Sequence, residues 1–350
     1  MHRVMAMRRL GHDVTLIDLR EFLPNRGIAK RLVSKLVFEC GGGIFESYIQ
    51  KKLTSAVKGR EFDIAWVNGG ELAGPRIVRH LKKIASKAVN YHNDDPFGGR
   101  DRQLWKLFLK AVPFYDAVIV MRKLNVTEAY AAGAKRVIRT WMTADEIAHA
   151  PAALTSRDQA DWASEVVFIG TWMPERGPFM ARLLELGVPL TIYGDRWQKA
   201  EEWPLLKSVW RRGNIDGADY IKAISASKVC LALLSKGNRD LHTTRSSEIP
   251  FAGGLLCAER TVEHQRLYVE DREAVFWESA DECAIKCRQL LLHRDLRDSI
   301  RQAGRARCLQ NGLLNEIILK GLLDALQQID DEIPSHLKYF TPISAHKSAH

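Results

Sequence analysis

Short, solid apolar runs recur along the chain with helical patterns between them, and this alternation narrows the fold more than any other feature. FDIAWV, KAVNY, YDAVIVM and KRVIRT in the first half, and EVVFIG, PLTIYG, KVCLALL, LLCA and AVFW in the second, are strand-length runs with little polar alternation. A strand that is apolar toward both sides has to be covered on both faces. Intervening helices do that by making the sheet parallel. A chain of 350 residues exceeds one ordinary core, so the prediction is an α/β protein with two such sheets.

The two series are separated by residues 143–157, where DEIAHAPAALTSRD carries Pro151 and no sheet pattern. This places one domain at residues 1–150 and a second at 158–330. The last stretch, 331–350, has histidines and prolines but little apolar periodicity and is expected to be disordered. The first domain opens unusually. His2–Leu10 has helical character and closes at Gly11, and DVTLID then reads as a short buried strand. Doubly wound sheets start with a strand and a glycine turn, so the expectation is a first domain that lacks its first strand. From Ile28 to Glu39 the apolar positions 28, 29, 32, 33, 36 and 37 recur at helical spacing, with Lys30, Arg31 and Lys35 on the other side. Packing against the sheet is the expectation, with a membrane surface as the alternative.

Composition bounds the partners. Residues 1–150 hold 26 Lys and Arg against 15 Asp and Glu, whereas residues 151–350 hold 26 against 27. A basic half suits an anionic acceptor, an anionic lipid surface or nucleic acid. Against nucleic acid, the sequence carries no zinc finger, aromatic RNP-like strand or helix-turn-helix pattern. No run approaches bilayer length, and MHRVMAMRRLGHD lacks the apolar centre of a secretory signal, so a cytoplasmic protein, peripheral at most on the inner membrane face, is expected. Cys283 and Cys287 lie one helical turn apart with no second pair to complete a zinc site, and they read as buried small hydrophobes.

Candidate chemistry gathers at strand ends. EVVFIG finishes at Gly170 and continues through Thr171 to Arg176-Gly177 at a helix start, where a cation and free N–H groups can meet an anion. RSSEIPFAGG sets Glu248 before Pro250. Proline is tolerated in a first turn, so the helix is expected to begin among Ser246, Ser247 and Glu248. A carboxylate there can accept hydrogen bonds from neighbouring sugar hydroxyls, as acidic residues do with ribose in dinucleotide sites.

The runs VVFIGTWMPERG, LTIYGDRW, ADYIKAISASKVCLALL and TTRSSEIPFAGGLLCAERTVEHQRLYVEDREAVFW together resemble the donor-binding half of group-1 glycosyltransferases of the GT-B fold, most closely the CgeB-like branch. The resemblance covers about residues 165–310 and extends more weakly to LGHDVTLID, YHNDDPFG and GAKRVIRTWMTAD. It implies two Rossmann-like domains facing a cleft, with the acceptor in the first and a nucleotide-diphosphate sugar in the second. It further implies that Arg176 holds the donor diphosphate and Glu248 the ribose or sugar, with Gly170, Thr171, Gly194, Thr244 and Arg245 around them. Two positions depart from the wider group: Leu241 stands where a second glutamate is usual, and Thr171 where the first basic residue is. The implied reaction is a retaining transfer of a hexose-type sugar, without metal or other cofactor, to a sugar, lipid-linked or protein acceptor. Asp94 and Asp95 fall on the acceptor side, and His92 is the candidate to orient or deprotonate an acceptor hydroxyl. The alternatives are a catalytically impaired protein that keeps the cleft for binding, and a basic nucleic-acid-binding protein.

Overall fold

In the computed structural model, which describes residues 2–328, two parallel sheets each carry helices on both faces. The first has four strands in the order β1 (Phe62–Asn68), β2 (Ala85–His92), β3 (Ala117–Val120) and β4 (Val137–Arg139). The second holds β5 (Ser164–Ile169), β6 (Leu190–Tyr193), β7 (Trp210–Arg212), β8 (Ser227–Ala232), β9 (Leu256–Glu259) and β10 (Val275–Trp277). Its spatial order is β10-β9-β8-β5-β6-β7. The chain therefore builds outward from β5 in one direction, then returns to build from β8 in the other, and β5 and β8 are hydrogen-bonded neighbours. This is the dinucleotide-fold order, and the gap between the carboxyl ends of β5 and β8 is its topological switch point. The first sheet runs in simple succession and has no such reversal among the described residues.

The nine strands expected of the alternating apolar runs are present, and their solid apolar character has the expected cause: every residue of β3, β6 and β10 is buried. The strand β7, which the sequence reading did not anticipate, is three residues long and mostly exposed, so it leaves no apolar run to find. The helix caps also follow local chemistry. Ser279 accepts a hydrogen bond from the Glu282 N–H at 3.2 Å and opens the helix Ala280–Leu292.

Three expectations are corrected. Residues 13–18 form no strand, and Leu16 there is 50% exposed. An extended segment becomes a strand only when a neighbour completes its backbone ladder. Here β1 pairs with β2 on one side, and no strand precedes β1 among the described residues. The helix Gly27–Cys40 does not lay its apolar face on the sheet. Ile28, Leu32 and Leu36 are 76%, 57% and 41% exposed, and Val37 is its one buried residue. The core beneath is already filled by Ile49 and Leu53 of the next helix and Ile77 of the helix Pro75–Ile84. Finally, the helix Asn315–Gln327, inside the expected second domain, crosses back. Ile318, Leu322 and Leu326 pack with Val89, Tyr91, Ile119 and Met121 of the first domain. Arg9 pins this crossing by pairing with Asp145 at 3.0 Å, and with Glu146 and Glu316. The expected tail at 331–350 lies outside the described residues.

Candidate functional site

The switch point of the second sheet is closed by one guanidinium. Arg176, only 7% exposed, donates through Nη1 to the Thr171 carbonyl at 2.8 Å and through Nη2 to the Leu233 carbonyl at 3.2 Å. These carbonyls follow β5 and β8, so the side chain bridges the two strand ends across the switch. Its Nε is buried without a partner. Arg245 approaches the same place, with Nε donating to the Ile169 carbonyl at 3.3 Å. Among the described residues, neither guanidinium has a carboxylate within ion-pair distance. Burial draws the Arg176 pKa down to about 10, and the charge of Arg245 adds to the shift. Two neighbouring cations with hydrogen bonds only to carbonyls make a positive potential at the strand ends, which Glu248 beside Arg245 and the more distant Glu175, Asp240 and Glu259 around Arg176 offset only at a distance.

The carboxylate comes from the same helix as Arg245. That helix runs Arg245–Phe251, so it starts before the expected Ser246–Glu248 window and holds Pro250 in its interior. The proline removes the N–H that the Ser246 carbonyl would accept, and the Tyr268 hydroxyl donates to that carbonyl instead, at 2.6 Å. With the vacancy filled from outside, the helix can begin earlier. Glu248 then falls one turn into it, where Tyr220 donates to Oε2 at 2.7 Å. His149 Nδ1 accepts from the Asp145 N–H at 2.9 Å, which leaves its proton on Nε2, 3.8 Å from Glu248 Oε1. Burial lowers the His149 pKa, against the opposing pull of Glu248. Tyr220 was not singled out from sequence; an aromatic hydroxyl on an apolar helix gives no local sign that it will meet a glutamate 28 residues on.

The other expected donor residues are placed as follows. Gly170 and Gly194 continue the β5–β6 pairing, and Gly194 has φ 141°. A Cβ on Gly194 would stand 2.0 Å from the Gly170 carbonyl oxygen, so close backbone approach accounts for the glycine. Thr244 precedes the helix, and its side chain makes no capping hydrogen bond. Leu241 is 40% exposed. A small cavity of about 10 Å³ lies against Ile169, Tyr220, Arg245 and Ile249, no larger than a water molecule needs.

Between the sheets lies a seam of paired charges. Arg122 Nε donates to Asp240 at 2.8 Å, with both side chains 5% exposed. Arg239 donates to Asp95 at 2.8 Å and to Glu128 at 2.7 Å. Arg139 pairs with Glu263, which also accepts from His242 Nδ1 at 2.6 Å. His242 Nε2 takes the Met142 N–H at 3.1 Å.

Asp95 is therefore an anchor for the opposite domain rather than an acceptor-facing group. Its oxygens also take the Phe97 and Gly98 N–H groups, and burial opposes its charge, but Arg239 and Asn125 hold its pKa below the ordinary value. His92 is also displaced from its expected role. It is 1% exposed, packed against Trp105 and Phe108, with Nδ1 on the Asp94 carbonyl and Nε2 unpartnered. Burial pushes its pKa down to about 4. Asp94 does line a cavity of about 400 Å³ at the carboxyl ends of β1 and β2, together with Arg20, Asn68, Glu71, Arg100 and Trp105. His264 is buried against Ser246 and Phe276. Cys257 of β9 joins Cys283 and Cys287, the three thiols lying within 4.8 Å of one another in the apolar core of the second domain.

Comparison with known proteins agrees with this geometry at the level of fold. Residues 176–318 match the model of a family described as glycosyl transferase-like. No curated protein matches the chain. Among solved structures, sucrose-phosphate synthase from Thermosynechococcus elongatus is similar with a TM-score of 0.63 at 13% identity, over 94% of this chain and 92% of that one. HepE from Anabaena, in complex with UDP and glucose, is similar with a TM-score of 0.62 at 12% identity, over 86% and 89%. A glycosyltransferase from Rickettsia africae gives 0.58 at 13%, over 95% and 94%. The architecture of two helix-flanked parallel sheets is that of the GT-B glycosyltransferases.

Proposed function

We propose that the chain is a nucleotide-sugar-dependent glycosyltransferase, of the CgeB-like branch of group 1, that moves a hexose-type sugar with retention and without a metal. The observation that carries this reading is the pair Arg176 and Arg245, two guanidiniums without a carboxylate partner at the switch point of the second sheet. A sugar diphosphate presents the anion such a place lacks. In the reaction the sugar C1–O bond to the diphosphate breaks, the acceptor oxygen bonds to C1, and the hydroxyl proton leaves with the phosphate or to solvent. Charge builds on the diphosphate as that bond breaks, and cations fixed beforehand stabilise it. Glu248, with Oε2 held by Tyr220, accepts the ribose or sugar hydroxyls. The acceptor, a sugar, lipid-linked or protein group, enters the cavity of about 400 Å³ beside Asp94.

The cavity beside Arg245 is too small for a nucleotide, so donor binding requires the site to open. A buried His92 suits a retaining transfer, in which the leaving phosphate takes the acceptor proton. Calorimetric titration with UDP, GDP and their sugars tests the reading, and UDP-glucose is the first choice because HepE has been seen with it. Saturable binding of one sugar nucleotide, weakened about tenfold by Glu248→Gln, supports it. Binding of none, or an unaltered affinity in that variant, overturns the site. A donor that binds but is never transferred or hydrolysed would favour the binding-only alternative.

A further inference from the structure

We infer that the helix Gly27–Cys40 docks the first domain on an anionic membrane surface. Ile28, Leu32 and Leu36 sit four residues apart and so form one row along the helix, and they are 76%, 57% and 41% exposed. The turn that follows exposes Ile44 at 68%. Helices on globular proteins turn such a row inward. Here the inward contacts belong to Val37 and, in part, Val33, one position further round. The outward row is therefore surplus to the fold.

The charge beside that row selects its occupant. Residues 26–60 contain eight Lys and Arg against two Glu. Both glutamates are committed: Glu39 pairs with Arg102 at 2.6 Å, and Glu46 is buried, accepting the Arg76 N–H at 2.7 Å. Lys30, Arg31 and Lys35 on the helix itself are all exposed and none makes an ion pair among the described residues. An apolar row flanked by free cations fits the boundary between acyl chains and anionic headgroups, with the side chains entering the one and the ammonium and guanidinium groups meeting the other. No helix of the described residues is long and apolar enough to cross a membrane, so the contact is peripheral. The C-terminal end of this helix abuts the loop that walls the first-domain cavity. A Cβ on Gly41 would lie 3.1 Å from the Gln103 carbonyl oxygen, and Arg100, Leu104 and Trp105 line the cavity. Docking would thus hold the cavity close to the bilayer; that an acceptor anchored in lipid enters it rests in addition on the glycosyl-transfer reading.

Flotation of the full chain with vesicles of phosphatidylcholine alone, and of phosphatidylcholine with phosphatidylglycerol, tests the inference. The expected result is binding to the anionic vesicles only, falling as salt is raised. Replacing Lys30, Arg31 and Lys35 together by alanine should lower vesicle affinity about a hundredfold, near fivefold per charge. Leu32→Ser should lower it about tenfold while thermal unfolding stays unchanged, because the side chain is exposed. Absence of binding to anionic vesicles at low salt overturns the inference, as does equal binding by these variants. A concentration-dependent dimer that Leu32→Ser dissociates would assign the row to a second copy instead, and would equally overturn it. Titrating the same variants with sugar nucleotide separates the two readings, since donor affinity should not change.

Discussion

The seam between the domains and the switch point of the second sheet are both built on arginines, and they differ in what answers the charge. In the seam every guanidinium described above meets a carboxylate: Arg122 with Asp240, Arg239 with Asp95 and Glu128, and Arg139 with Glu263. At the switch point Arg176 and Arg245 meet only carbonyl oxygens. The first domain carries the excess of basic residues, yet the two guanidiniums that bridge strand ends through carbonyl oxygens belong to the second, which is nearly neutral overall. Net charge thus marks a surface, whereas the partner that each guanidinium finds marks its role.

This contrast can be broken at its strongest point. Asp240→Ala leaves Arg122 buried with the Asn93 carbonyl but without a counter-charge and should cost about 3–5 kcal/mol in urea unfolding, and replacing both residues by apolar ones should recover most of it. The next largest effect is on pH dependence. Burial holds His92 and His264 to a pKa of about 4, below the ordinary 6.5. Between those values the unfolded chain binds protons that the folded one refuses, so stability is complete above about pH 6.5 and falls as pH drops toward 4. The loss is up to about 3 kcal/mol per histidine. Urea midpoints across that range check it, and His264→Gln should flatten the slope.

The contrast sharpens at the switch point. Arg245→Ala should weaken sugar-nucleotide binding by about ten- to a hundredfold with little change in stability. Arg20→Ala, in the first-domain cavity where Arg20 is already paired with Glu71, should leave donor affinity unaltered; calorimetry on both variants decides. The smallest effect belongs to Tyr220→Phe, which removes one hydrogen bond to Glu248 and should lower donor affinity about fivefold, near 1 kcal/mol.

What sequence reading could recover follows the range of the interactions. The strands were legible because double-sided burial writes an apolar run into a few consecutive residues. Arg176 was legible as a group that follows β5 at a helix start, and Glu248 as one near the start of its helix, although that helix begins at Arg245. Their surroundings were not: beyond the local Thr171 carbonyl, those that hold Arg176 come from residues 233 and 234, and Tyr220 reaches Glu248 from the helix that precedes β8. The reading of DVTLID as a strand rested on local pattern, while a strand needs a partner that local pattern cannot supply. In sequence His92 is a candidate to meet an acceptor hydroxyl, and only packing with Trp105 and Phe108 shows that it is shut away.

The hydroxyl of Tyr268, seated on the Ser246 carbonyl in place of the amide that Pro250 lacks, ties two distant positions into one structural unit. A relative that restores an amide-bearing residue at 250 releases position 268 to drift, whereas one that keeps the proline is bound to retain a donor there. Alignments of this lineage should therefore show the two columns changing together, with the orientation of Arg245 and Glu248 as what the coupling preserves.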